Sequence, residues 1–316
     1  MKVWYMNGAG NDFAVIDARG LELDFSPLAV ELCKLTGADG FMAVDNSSIA
    51  DFKLHFYNAD GSRGEMCGNG SRCICRFAFA HGLAGENMTV ETDAGIVSGK
   101  RLDESRYLVR LNNPSIVDLN RKGDVSYVEL GNPGVPHAVT QLSGLDWETS
   151  YALVPHAKQL RFEPAFPKGA NVNMYSWLDD HTIRILTYER GVEDFTQACG
   201  TGSASTAVVL WTQGLLPSGK LTVKNPGGDL SVTIEGSDGN IEAIWLEGPT
   251  ELVKEFEVEK RDALWAVHHS DKLPKKALIS LIFRQNTLKS TKDFYGLLSY
   301  LKKIPILFRC FAVLKW

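Results

Sequence analysis

The chain has 316 residues, 44% hydrophobic and 22% charged, with a formal net charge of −5, 29 Gly, 12 Pro and 6 Cys. These are ordinary globular values for about two domains, and they disfavour disorder, collagen-like repeats and a disulfide scaffold. The acidic balance argues against a nucleic-acid binder, so the expected partner is a small molecule. The charge is uneven, because residues 261–316 hold 11 Lys and Arg against 3 Asp, about +8, leaving about −13 for the first 260. Polar Asn7, Asn11 and Asp12 stand where a signal peptide would need an apolar run. A cytoplasmic protein with reduced thiols is therefore expected.

In chain order, Ser26-Pro27 before an apolar run, with Gly37 after it, reads as a helix over residues 27–36 capped by serine and closed by glycine. Residues 51–57 alternate Phe52, Leu54 and Phe56 with Lys53, His55 and Tyr57 and read as a strand. The polar turn Asn58-Ala59-Asp60-Gly61-Ser62 follows it. Cys67-Gly68-Asn69-Gly70 then leads into a helix over residues 71–81, closed by Gly82. The order returns further on as a strand over 183–188, a loop over 189–197, Cys199-Gly200-Thr201-Gly202, and a helix over 203–213 ended by Gly214 and Pro217. The basic tail carries apolar runs at 277–283 and 304–314, each short of the roughly 18 to 20 residues that span a bilayer. An amphipathic helical appendage is the first reading of the tail, and a membrane-surface patch the second.

The repeat carries the chemistry. Two strand–loop–Cys-Gly-x-Gly–helix units lie 132 positions apart, each with its cysteine where the loop meets the first helical turn. A helix N-terminus favours an anion, so it lowers a thiol's pKa and offers N–H groups to a carboxylate. Two such units facing one another place two thiols on opposite sides of one cleft. That arrangement suits inversion of an α-carbon, in which a base removes a proton from one face and an acid delivers one to the other. Cys33, Cys73, Cys75 and Cys310 read instead as small buried hydrophobes. Zinc is a rival use of Cys67, Cys73 and Cys75, but their spacing lacks the paired C-x2-C form, so no metal site is expected. Gly8-Ala9-Gly10 and Gly68-Asn69-Gly70 do not complete a nucleotide loop.

Met6-Asn7-Gly8-Ala9-Gly10-Asn11-Asp12-Phe13, the 58–62 turn, Met66-Cys67-Gly68-Asn69-Gly70-Ser71-Arg72, Glu189-Arg190-Gly191-Val192-Glu193-Asp194 and Ala198-Cys199-Gly200-Thr201-Gly202 together resemble the diaminopimelate epimerase family. The resemblance runs from residue 1 to about 260. It implies an α/β (α+β) fold of two pseudo-symmetric domains, each a barrel-like sheet around a central helix, with the active site in the cleft between them. The domains are placed at 1–112 and 113–247, with 248–260 crossing back to the first and 261–316 a tail beyond the family. The implied reaction interconverts LL- and meso-diaminopimelate, on the route to lysine and peptidoglycan, with no cofactor and no metal. Cys67 and Cys199 are then the acid/base thiols. Asn11, Asn58, Asn132, Asn171, Glu189 and Arg190 hold the substrate's two amino acid ends, Gly68, Asn69, Gly200 and Thr201 offer backbone N–H groups to the reacting carboxylate, and His137 lies near one thiol. A Glu–Arg pair beside neutral amides suits a ligand bearing both ammonium and carboxylate. A homodimer is the expected assembly, and closure of the cleft is expected to exclude water from the thiols.

The chain departs from the family's usual pattern in places. Gly131-Asn132-Pro133-Gly134-Val135-Pro136-His137 stands where Gly-Asn-Pro-His is usual, and two registers fit. Either Asn132 keeps the contact with three residues inserted before His137, or Val135 fills the slot without an amide. Phe195 stands where glutamate is common, and Gly40 where some members have glutamine. These departures leave open a pyridoxal-independent racemase of another amino acid using the same thiols. A thiol-based binding or redox-sensing protein is the reading from another class. The tail is expected to be dispensable: a chain ending near Asp262 should epimerise as the full chain does, and a folded but inactive truncation would contradict this.

Overall fold

The computed structural model describes residues 1–64, 67–237 and 239–258, and the basic tail with both its apolar runs lies outside them. The chain first runs through β1 (Lys2–Gly8), β2 (Asn11–Asp17), α1 (Phe25–Thr36), β3 (Gly40–Asp45), β4 (Phe52–Asn58), β5 (Arg63–Gly64), α2 (Gly68–Ala80), β6 (Asn87–Thr92), β7 (Gly95–Arg101) and β8 (Arg106–Leu111). It continues through β9 (Pro114–Lys122), β10 (Val125–Gly131), β11 (Gly134–Gln141), α3 (Val154–Arg161), β12 (Asn171–Asp179), β13 (Thr182–Glu189), β14 (Asp194–Phe195), α4 (Gly200–Thr212), β15 (Lys220–Asn225), β16 (Gly228–Ser237) and β17 (Asn240–Pro249). Strand β18 (Glu251–Glu257) follows.

The strand pairing repeats. In the first half β1 and β2 are antiparallel, β2 and β3 parallel across α1, β3 and β4 antiparallel, β4 and β6 parallel across α2, and β6 to β8 a meander. In the second half β10 and β11 are antiparallel, β11 and β12 parallel across α3, β12 and β13 antiparallel, β13 and β15 parallel across α4, and β15 to β17 a meander. The halves join where β8 pairs with β17. Their outer strands are exchanged: β9, which continues the chain from β8, pairs with β10, and β18, which continues it from β17, pairs with β1.

Helix α1 begins two residues before the expected start. Asp24 is the N-cap and accepts from the Ser26 N–H, while the Ser26 hydroxyl donates to Gly61 O at 2.8 Å. Pro27 still falls in the first turn, where a missing N–H costs nothing. The helix closes at Gly37, whose φ of 76° is the left-handed conformation that glycine adopts freely. Helices α2 and α4 begin three residues before the expected positions, because the glycines of each Cys-Gly-x-Gly are themselves helical and Cys67 and Cys199 are the N-caps. Both helices are buried on almost every side, as a helix at the centre of a core must be. One apolar cluster, including Ile74, Phe77, Val208 and Leu210, surrounds them and draws on strands of both halves. Smaller clusters lie beneath α1 and α3. The fold is thus the expected α/β arrangement of two like halves, each a sheet around a central helix.

Candidate active site

The N-termini of α2 and α4 meet. A Cβ placed on Gly200 would stand 3.9 Å from Gly68 Cα and 3.7 Å from Asn69 Oδ1. The Leu246 side chain of β17 packs over both glycines, 3.0 Å from a Cβ on Gly68 and 2.6 Å from one on Gly200, so a side chain at either position would have to displace its tip. Asn69 ties the seam by donating to Ala198 O at 3.2 Å, across from one half to the other, and to Asn11 Oδ1. Cys67 and Cys199 therefore sit at the two ends that converge on this seam, both with extended N-cap backbone. Among the described residues, no three His, Cys, Asp or Glu side chains converge as a metal ligand set.

Burial pushes both thiols up, Cys199 to about 12. The charge of Glu189 pushes each of them further up. The opposing effects differ between the two sides. At Cys67 the N–H groups of Gly70 and Asn69 and the cation of Arg72 favour the thiolate. At Cys199 the Thr201 hydroxyl, 3.5 Å from Sγ, and the Gly202 N–H, 3.3 Å from it, do so. Glu189 is half-buried, and burial raises its own carboxyl above the usual range.

The remaining candidates divide. Asn171 is buried at the start of β12, where it donates to Pro136 O at 3.2 Å and accepts from the Arg190 N–H at 2.8 Å. It thereby links β11 to the Glu189-Arg190 corner. The Arg190 side chain is exposed and donates to Lys168 O, and Asn58 is exposed and donates to Ser62 Oγ at 2.9 Å. Asn132 lies at the exposed tip of the β10–β11 hairpin, beyond the Gly131–Gly134 pair.

Strand register aligns the 131–137 segment with the first half. Phe13 pairs with Gly40, and Gly40 with Asn58, in the first half. His137 pairs with Asn171 in the second, and Asn171 lies one step past the Val172–Tyr188 pair, opposite Glu189. Phe13 and His137 hence occupy matching positions, and two residues before them stand Asn11 and Val135. By this register Val135, and not Asn132, stands at the position matching Asn11. The two-residue hairpin tip holds Asn132 outside the matched strand.

His137 is fully buried, and burial lowers its pKa to about 3. Asn173 Nδ2 donates to its Nδ1 at 3.2 Å, which leaves the ring proton on Nε2. Asn173 also donates to Ala138 O at 3.0 Å and accepts from Thr187 Oγ1 at 3.0 Å. A neutral imidazole cannot pair with a thiolate as a cation. A histidine that is protonated in the unfolded chain below about 6.5 but neutral in the fold down to about 3 makes unfolding take up a proton. Stability is then full above 6.5 and falls as the pH drops towards 3, by up to about 1.4 kcal/mol per pH unit. Urea midpoints between pH 7 and 5 are expected to fall less steeply for His137→Phe, which borrows the first half's residue, than for the unaltered chain. Equal slopes would contradict this assignment.

Sequence reasoning missed Asn173, Thr187 and the part of Arg72. The spacing of Asn171 and Asn173 was a usable signal, since alternate residues of a strand share one face. Arg72 was marked by its charge in an otherwise apolar helix.

Comparisons with known proteins agree with this geometry at two levels. A phenazine biosynthesis protein of the PhzF family from Bacillus anthracis matches over 82% of this chain and 98% of its own, with a TM-score of 0.60 and 16% identity. A hydroxyproline epimerase from Agrobacterium vitis matches over 82% and 90%, with a TM-score of 0.60 and 17% identity. At such identities the likeness is one of fold, and the class is this pseudo-symmetric mixed α/β architecture. The sequence profile described as diaminopimelate epimerase matches residues 3–117 and 130–253. A diaminopimelate epimerase from Aquifex aeolicus is 35% identical over 78% of this chain and 94% of its own length, and one from Archaeoglobus fulgidus is 36% identical over 72% and 88%. The chain belongs to the diaminopimelate epimerase family, a family of isomerases. Among the described residues no helix is long and apolar enough to cross a membrane.

Proposed function

We propose that this chain interconverts LL- and meso-diaminopimelate by moving the α-proton between substrate and two thiols, Cys67 and Cys199, with neither pyridoxal phosphate nor metal. The observation that carries the reading is the meeting of two cysteine-capped helix N-termini at one seam. One cysteine, as thiolate, takes the α-proton, and the other, as thiol, gives its proton to the opposite face, so each turnover exchanges their states. The reacting carboxylate, whose charge grows as the carbanion forms, lies against the N–H groups of Gly68, Asn69, Gly200 and Thr201, where the dipoles are already aligned. Asn11, Asn171, Glu189 and Arg190 bind the substrate's polar groups, and Asn58 closes the rim. Because burial disfavours a thiolate on either side, the substrate's ammonium supplies part of the compensating positive charge. His137 holds the wall beside Cys199 as a neutral group.

We read residues 1–112 and 113–247 as the two domains, with 248–260 returned to the first, a division that the exchange of β9 and β18 supports. A cytoplasmic homodimer is part of the same proposal. Val135 in the slot matching Asn11 favours a second reading, a racemase of another amino acid. The test is an isomer-resolved chromatographic assay with LL-diaminopimelate, run on chain dialysed against a chelator and treated with a carbonyl reagent, beside a panel of single-carboxylate amino acids. Meso product at an undiminished rate is expected. Turnover only of other amino acids, or turnover restored only by added pyridoxal phosphate or metal, would contradict the proposal.

A further inference from the structure

Arg72 is fully buried one turn into α2, with its Nη1 donating to Gly68 O at 3.2 Å and its Nη2 to Asn69 Oδ1 at 3.0 Å. Side chains of a helix point back towards its N-terminus, which brings this guanidinium behind the turn that Cys67 caps. Among the described residues it has no carboxylate partner, and its Nε has no acceptor. Space for it depends on Gly248 of β17, where a Cβ would stand 2.8 Å from Nε and 2.9 Å from Cζ. A guanidinium stays charged, and a buried charge without a counter-ion is costly, so the site favours an anion close by.

Among the described residues the second half has no matching cation. The 132-residue repeat that matches Cys67 to Cys199 matches Arg72 to Ala204, which is equally buried. Cys199 feels the charges of Glu189 and Cys67 from other elements, and is bonded by the Thr201 hydroxyl and the Gly202 N–H of its own helix. Cys67 feels the charge of Glu189 from β13, and from its own helix the Arg72 cation and the Asn69 and Gly70 N–H groups. Cys73 and Cys75, which also face Arg72, are themselves pushed up to about 12 by burial and are poor counter-ions.

We propose that Arg72 is a positioning residue that makes Cys67 the thiol ionised in the resting enzyme, leaving Cys199 as its protonated partner. The two faces of the site are then unequal at rest, and the empty enzyme is ready for the isomer whose α-proton points at Cys67. After that isomer reacts, Cys67 holds the proton, and Arg72 drives the return of the thiolate to Cys67 once product leaves. The consequence for turnover rests on the two-thiol reading above; the ionisation order itself does not.

The test is alkylation of the full chain by iodoacetamide across pH 6 to 10, with Cys67 and Cys199 followed separately by peptide mass spectrometry. The midpoint of each pH profile reports ionisation, where absolute rate also reports access. In the unaltered chain the Cys67 midpoint is expected to lie below that of Cys199. Arg72→Met should slow alkylation of Cys67 at neutral pH by about tenfold or more and leave the Cys199 midpoint in place, and Arg72→Lys should restore most of the difference. A Cys199 midpoint below that of Cys67 in the unaltered chain would overturn the proposal even if Arg72→Met failed to fold. So would an unmoved Cys67 midpoint in a folded Arg72→Met. Unmoved profiles beside normal epimerisation would sink this inference alone, whereas altered profiles with no epimerisation would sink the functional reading alone.

Discussion

Either Cys67→Ser or Cys199→Ser is expected to lower kcat for diaminopimelate by about 10²- to 10⁴-fold while changing KM only a few-fold. The hydroxyl nearly matches the thiol in size, so the seam between α2 and α4 should persist and the proposed carboxylate seat at the Gly68 and Gly200 N–H groups should be kept. What is lost is acidity, because a hydroxyl is a far weaker acid than a thiol and its conjugate base is scarce near neutral pH. On the proposed mechanism both positions matter in both directions of reaction, since the group that is base in one direction is acid in the other. The double variant should be little worse than either single one, as expected for groups that act as a unit. Steady-state kinetics in both directions check this. A single variant that keeps near-normal kcat would remove that cysteine from the reaction.

Gly202→Ala is expected to destabilise the fold by about 1–3 kcal/mol and to cut kcat by about 100-fold. A Cβ at this position would lie 2.2 Å from Asn173 Oδ1 and 3.0 Å from Thr187 Oγ1. Neither neighbour has anywhere to go, because both are buried and bonded to each other, and Asn173 also holds His137 and Ala138 O. The first turn of α4 must lift instead, carrying with it the Gly202 N–H that now points at Cys199 Sγ. A misplacement of about 1 Å is enough for a loss of that order. Gly85→Ala is the control, since its added Cβ would meet nothing nearer than Asn87 O at 4.0 Å, and it should stay within about 0.5 kcal/mol. Urea denaturation with activity measured on the same preparations reads both effects. Equal behaviour of the two variants would mean that the wall behind Cys199 yields freely.

Much of the centre of this site was legible from spacing. The two Cys-Gly-x-Gly stretches announce helix starts by their glycines and by the apolar runs that follow, and a 132-residue interval with the same order of strand, loop and helix implies two like halves. The strand around Phe52, Leu54 and Phe56 was readable from its alternation, although Tyr57 is buried too, because the other face of that strand lies under α1. The start of α1 was misread since Asp24 and Ser26 are both good caps, and only the tertiary contact of Ser26 with Gly61 decides between them. The hairpin at Asn132 was ambiguous for a similar reason. Its slot is defined by pairing with β12, more than 30 residues away, which no local pattern encodes. The exchange of β9 and β18 depends on the same kind of long-range pairing. Arg72 shows a further limit: its charge is plain in the sequence, but its burial without a carboxylate partner among the described residues, which gives the charge its meaning, is a property of packing.

The central claim is that two different groups handle the proton on the two faces of the α-carbon, and proton NMR of LL-diaminopimelate in deuterated buffer tests it most directly. At early times the meso product is expected to carry deuterium at the inverted α-carbon while the remaining LL isomer keeps its proton, because the delivering thiol has already exchanged with solvent. Product that retains the original proton, or substrate that exchanges as fast as product forms, would show one group serving both faces and would contradict the account.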